Sequence, residues 1–231
     1  MFSRRKHVFR PIVDPIAAGF LALGFSPTGI TLLSLALALG LTGAIVWTQN
    51  LIVYLPVLFV CFGLDAVDGA AARLSGRSSR LGSYLDAICD RISEIALYFA
   101  LGVVSGAWML VFALATTSLL FSYAKARAAM EVPVDNQNWP DVMERPERMV
   151  LVSLVAFVWA VWPELRIFGA TALIAGGWIV VALIGASLLQ RLWRAYRSID
   201  AAATPTVDPG AAKEPRDARA RASAAKPQAS P

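Results

Sequence analysis

Long apolar runs with few charges leave this chain little choice of fold. Residues 29–48 carry no charged side chain, and comparable runs cover 51–74, 81–104, a stretch ending near Met130, and 168–192. A shorter run at 149–161 adjoins a polar segment and is expected to start inside it. A helix needs about 20 apolar residues to cross a bilayer. In hydrocarbon the backbone must satisfy its own polar groups, which a helix does. Hydrophobic residues make up 57% of the 231 and mean hydropathy is +0.60, more than an ordinary globular domain buries, so the surface calls for a solvent other than water. The expected fold is all-α, a polytopic membrane protein of six transmembrane helices.

The chain has room for one domain. Residues 1–24 mix Arg4, Arg5, Lys6 and Arg10 with apolar positions, which suits an amphipathic helix lying in the interface, with Pro11 and Pro15 expected to break it into pieces. The same prolines and Asp14 interrupt any signal-peptide core, so no cleaved leader is expected. Ser26 and Pro27 form a cap and first turn for the first span. The six-helix domain is expected over 25–197. Residues 198–231, rich in Ala, Pro and charge, have little to bury and are expected to be disordered. Cys61 and Cys89 sit in apolar runs as small hydrophobes, against a disulfide or zinc site. His7, the sole histidine, lies in the basic N-terminal segment, so histidine catalysis is not supported. Trp47, Trp108, Trp139, Trp162 and Trp193 fall near span ends, as interface anchors do, and Gly176-Gly177 marks a close-packing point in span six.

Charge gives the orientation. Of 21 Lys and Arg, Arg166 alone lies in a turn of one side and Arg91 lies within a span; the rest flank the opposite side. The positive-inside rule then puts both termini and the longer loops in the cytoplasm of a plasma-membrane, multi-pass protein. Asp65 and Asp68, late in span two, share a depth near that interface with Asp86 and Asp90, early in span three.

These four carboxylates are the chemical signal. Asp65 and Asp68 are spaced i, i+3 and Asp86 and Asp90 i, i+4, so each pair shares a helix face, and the short link from Arg73 to Gly82 makes the helices antiparallel neighbours. Carboxylates at such depth repel one another and stay ionised only with cations among them. Oxygen-only ligands favour Mg2+ or Mn2+. A two-metal site for phosphoryl chemistry follows. Gly69, Ala70, Ala71, Ala72 and Gly82 open space for a partner helix or a flat ligand, and Arg73 offers a planar donor to phosphate. Tight helix packing alone also accounts for any one of the small residues.

The string Asp65-x2-Asp68-Gly69-x2-Ala72-Arg73-x8-Gly82-x3-Asp86-x3-Asp90 resembles the signature of the CDP-alcohol phosphotransferases, as do the six-span layout and the Pro27-Thr28-Gly29-Ile30-Thr31 opening of span one. The resemblance implies a CDP-linked lipid or alcohol, such as CDP-diacylglycerol, bound at a di-metal centre, with an acceptor hydroxyl displacing CMP. It implies that Asp65, Asp68, Asp86 and Asp90 hold two Mg2+ or Mn2+ ions and that Asp90 also acts as base. It further implies that Gly69, Ala72, Arg73, Gly82 and Thr31 lie at the CDP moiety. It suggests a homodimer. No nucleic-acid partner is expected.

A second cluster bears on the acceptor. Ser122, Lys125 and Arg127 end span four, Glu144-Arg145-Pro146-Glu147-Arg148 opens span five, and Arg191 and Arg194 end span six, all on the expected cytoplasmic side. Such cations suit an anionic acceptor, a phosphorylated polyol. Ser122, Lys125, Arg145, Arg148 and Arg191 are the candidate ligands. The strings around Ser122 and Arg145 resemble those of the branch that uses inositol phosphate. Arg145 and Arg148 are cations at a helix start, where the dipole disfavours them, so an anion nearby is expected, Glu144 and Glu147 among the choices. Arg91 and Glu94 read as a local i, i+3 pair. Alternatives remain at this point: the same chemistry on glycerol 3-phosphate or another alcohol, or a cation transporter, since transport pathways also use intramembrane carboxylates.

Overall fold

The computed structural model describes residues 6–132 and 143–203, with the side chains of 6–9, 53–62 and 203 left aside. Seven helices occur among them: α1 (Lys6–Ala22), α2 (Pro27–Thr48), α3 (Tyr54–Leu74), α4 (Arg80–Ser105), α5 (Trp108–Glu131), α6 (Arg145–Val161) and α7 (Ala172–Ala203). A 3-10 turn, Leu51–Val53, precedes α3, and strands β1 (Arg166–Ile167) and β2 (Ala170–Thr171) pair as a small hairpin before α7. Of these, α2, α5 and residues Ala172–Ala202 of α7 are long and apolar enough to cross a membrane. Expectations for Cys61, Trp139, His7 and the segment after Ala203 fall outside what is described.

The helix boundaries follow local chemistry. The Ser26 hydroxyl accepts from the Gly29 amide at 3.0 Å, with Pro27 in the first turn. The Ser79 hydroxyl accepts from the Gly82 amide at 2.9 Å and so starts α4. Gly106 ends α4 at φ 70, which a glycine adopts at little cost. The fifth helix does begin inside the polar segment, at Arg145, as its short apolar run requires. Two boundaries differ from expectation. Helix α7 starts at Ala172, not Phe168, because Phe168 (φ 53) and Gly169 (φ 80) close the β1–β2 hairpin, and it runs on to Ala203, past Ser198.

The expected break at Pro11 and Pro15 is absent: α1 is one helix through both. Their four-residue spacing puts both on the exposed face, where the carbonyls left without an intrahelical partner point away from the protein. The opposite face, Val13, Ala17, Phe20 and Leu21, packs with Ile30, Val67, Ala70 and Ala71. Ala70 and Ala71, beside the carboxylates, thus serve helix packing.

Helix α2 lies against α3 and α4, α5 against α4 and α7, and α6 against α3 and α7. The main core, with Leu97, Tyr98, Leu101, Leu110, Leu114, Phe121, Met149, Val152 and Ile184, fills the space between them. Gly176 and Gly177 are a packing point: a Cβ at Gly176 would stand 2.9 Å from Val155 of α6, and one at Gly177 would collide with Leu110 of α5. Cys89 is a buried free thiol. Trp47, Trp108 and Trp162 are exposed near helix ends, whereas Trp193, also exposed, lies inside α7 because that helix runs on to Ala203.

Candidate active site

Helix α2 packs against both α3 and α4, and the short link between Leu74 and Arg80 lets their aspartates meet. One carboxylate oxygen each from Asp65, Asp68 and Asp86 lie within 4.8 Å of one another. Asp68 is the most buried, 7% exposed, and its Oδ2 accepts from the Thr31 hydroxyl of α2 at 2.6 Å. That hydroxyl is neutral, so it orients the carboxylate without cancelling its charge. Three convergent hard oxygens with such a supporting contact fit a divalent cation, as Mg2+ and Mn2+ sites require.

Asp90 takes a different partner. Its Oδ1 is paired with Nη1 of Arg145 from the first turn of α6, and the same Nη1 lies 3.3 Å from Oδ1 of Asp65. Arg91 Nη2 is 3.8 Å from Asp90 Oδ2. A guanidinium therefore bridges Asp65 and Asp90, beside the three-aspartate group. The anions that meet the two helix-start arginines come from other helices, Asp65 and Asp90 for Arg145 and Glu94 for Arg148.

One turn deeper lies a buried ionic network. Glu94, 2% exposed, accepts on Oε1 from Arg148 Nε (3.1 Å) and the Tyr98 hydroxyl (3.0 Å), and on Oε2 from Arg148 Nη2 (3.1 Å). Arg91 Nη1 stands 3.2 Å from the same Oε2 and also donates to the Ser122 hydroxyl of α5. The Tyr98 hydroxyl meets the Ser118 hydroxyl at 3.2 Å. Arg148, 1% exposed, spends Nη1 on the Met143 carbonyl at 3.0 Å. Its guanidinium carbon is 5.3 Å from the centroid of the Phe121 ring, over which Arg191 also stacks at 3.4 Å while donating to the Phe121 carbonyl. Buried charges of this kind persist only when paired and hydrogen-bonded, and removing one partner costs about 3–5 kcal/mol.

The other sequence candidates lie around this centre. Gly69, Ala72 and Gly82 are half-buried and Arg73 is exposed, its Nη1 3.5 Å from where a Gly69 Cβ would stand. Lys125 is half-buried one turn beyond Ser122. Sequence reasoning missed Tyr98, Ser118 and Phe121, and took Glu94 only as a local partner of Arg91. A signal was present: Asp86, Asp90, Glu94 and Tyr98 recur every four residues, one face of α4 carried two turns deeper.

The profile of the family described as CDP-alcohol phosphatidyltransferase matches residues 25–193. The chain is 32% identical over 222 residues to the phosphatidylinositol phosphate synthase of Mycobacterium tuberculosis, covering 85% of this chain and 93% of that one. The crystal structure of that M. tuberculosis synthase with CDP-DAG bound superposes with a TM-score of 0.67 at 30% identity, over 80% of this chain and 94% of the other. Its complex with manganese and citrate gives 0.68 at 30% identity, over 80% of this chain and 89% of the other. With its signature aspartates converging on α3 and α4, this chain belongs to the CDP-alcohol phosphatidyltransferase family and is an enzyme of phospholipid biosynthesis.

Proposed function

We propose that the protein transfers the phosphatidyl group of CDP-diacylglycerol to a hydroxyl of inositol phosphate and releases CMP. The acceptor oxygen attacks the phosphorus that carries the diacylglycerol, a P–O bond forms there, and the bond to the CMP oxygen breaks with its electron pair leaving on CMP. The acceptor proton passes to the Asp90 carboxylate, the base within reach of such a hydroxyl. Asp65, Asp68 and Asp86 would hold one Mg2+ or Mn2+ ion and, with Asp90, a second. Bound there, the ions supply charge neutralisation to the diphosphate and its leaving group.

The protein's own residues do the rest. Thr31 fixes Asp68, while Gly69, Ala72 and Gly82 leave room for the CDP moiety and Arg73 pairs with its phosphate. Arg145 shifts its pairing from Asp90 towards the acceptor phosphate, which frees the base when the acceptor binds. Ser122, Lys125, Arg148 and Arg191 complete the pocket for the anionic acceptor. The domain spans residue 25 to the end of α7 at Ala203 in six transmembrane helices, with 1–24 as an interfacial helix and the residues beyond α7 as a tail. Both termini and the site face the cytoplasm, and the protein works as a homodimer.

The observation that carries the reading is the convergence of Asp65, Asp68 and Asp86 opposite Arg145, in a chain whose relatives over most of its length carry the synthase name. An acceptor panel tests it. Purified protein with Mg2+ and CDP-diacylglycerol is expected to release CMP with inositol phosphate in preference to glycerol 3-phosphate, serine and free inositol. Preference for a neutral acceptor overturns the pocket for an anionic acceptor.

A further inference from the structure

Glu94 stands outside the aspartate signature, yet it is the most heavily committed carboxylate described. Its two oxygens accept three hydrogen bonds, from Arg148 Nε and Tyr98 on Oε1 and from Arg148 Nη2 on Oε2, and Arg91 Nη1 lies 3.2 Å from Oε2 as an ion pair. A carboxylate offers about four acceptor sites, so most of the capacity of Glu94 is taken up by these partners. What it does is hold other groups.

Those groups belong to each helix that lines the proposed acceptor pocket. Arg148 is gripped in a bidentate fork, which fixes the first turns of α6 and with them Arg145, three residues earlier. Arg91 is held where it donates to Ser122 of α5. The plane of Arg148 lies against Phe121, whose other contact is the Arg191 guanidinium of α7. We infer that Glu94 is a positioning residue that sets the acceptor pocket by fixing Arg148 and Arg91, and through them Arg145, Ser122 and Arg191. This rests on the acceptor reading above.

Pre-organised cations bind an anion without paying to order themselves, so loosening them falls on acceptor affinity. Glu94 is paired with none of the residues proposed to hold the CDP moiety, so the affinity for CDP-diacylglycerol is expected to be indifferent to it. A residue needed only for folding would instead degrade every parameter together.

The test is steady-state CMP release by Glu94→Gln and Glu94→Asp, with inositol phosphate varied at saturating CDP-diacylglycerol and then the reverse, alongside Mn2+ binding. For Glu94→Gln the KM for inositol phosphate is expected to rise about tenfold, with KM for CDP-diacylglycerol unchanged and Mn2+ affinity retained or raised as Arg145 loosens from Asp65 and Asp90. Glu94→Asp, which keeps the charge, is expected to recover part of that loss. An unchanged acceptor KM, or a parallel loss in all parameters, overturns the inference. If Glu94→Gln does not fold, Tyr98→Phe removes one neutral donor and keeps every charge; it is expected to raise acceptor KM about twofold, and no rise refutes the role. Should wild type prefer glycerol 3-phosphate, the acceptor assignment fails while the same KM split, read with that acceptor, still decides the role of Glu94.

Discussion

Arg145 pairs with Asp90 across the α4–α6 contact and with Asp65 at 3.3 Å, so a protein cation stands beside the oxygens that the site offers to metal. On the proposed metal assignment, arginine and divalent ion would compete for Asp65 and Asp90. Arg145→Gln is expected to bind Mn2+ more tightly in the absence of substrates, about fivefold, a modest part of a unit charge's influence at this range. The same variant should need more inositol phosphate to reach half-maximal rate. Titration of Mn2+ by its EPR signal measures the first effect, and equal affinity in both proteins refutes the competition.

Asp90 is expected to be the base. Asp90→Asn removes the proton acceptor, and CMP release should fall about 10²–10⁴-fold, the usual worth of a positioned general base. CDP-diacylglycerol binding should persist, since Asp65, Asp68 and Asp86 remain. Normal turnover would remove Asp90 from this role.

Thr31 is expected to act on the metal through Asp68. Its 2.6 Å hydrogen bond aims a carboxylate that is 7% exposed, and loss of such supporting contacts commonly weakens metal binding about 10–100-fold. Thr31→Val should therefore shift the Mn2+ or Mg2+ concentration needed for CMP release upward, with the maximal rate recovered at high metal. A chelator should stop turnover in wild type, and added Mg2+ should restore it.

Gly176 is a stability prediction remote from the chemistry. A side chain there meets the stiff, branched Val155 at 2.9 Å, and overpacking of this kind costs about 1–3 kcal/mol. Gly176→Leu is expected to lower the thermal midpoint while leaving the KM values unchanged below it.

Several features were legible because their cause is local. The Ser26 and Ser79 caps and the convergence of Asp65, Asp68 and Asp86 each follow from a few adjacent residues. The continuity of α1 was not, because proline's cost depends on which face its carbonyls meet, and that is set by packing of Val13, Ala17 and Phe20 against α3. Arg148 and Arg191 read as cations at span ends, candidate ligands for the acceptor, yet are 1% and 3% exposed. Only the fold brings them to Phe121 and Glu94, 27 and 54 residues from Arg148 in sequence. Glu94 shows the middle case: its periodic place on α4 was readable, its partners were not.

The most direct measurement is the lipid product. Purified protein in detergent, supplied with CDP-diacylglycerol, inositol phosphate and Mg2+, is expected to form phosphatidylinositol phosphate and CMP in equal amounts by mass spectrometry, and neither without the metal. Release of CMP with phosphatidic acid as the lipid product, or formation of phosphatidylinositol from free inositol in preference, would contradict transfer to a phosphorylated acceptor at this site.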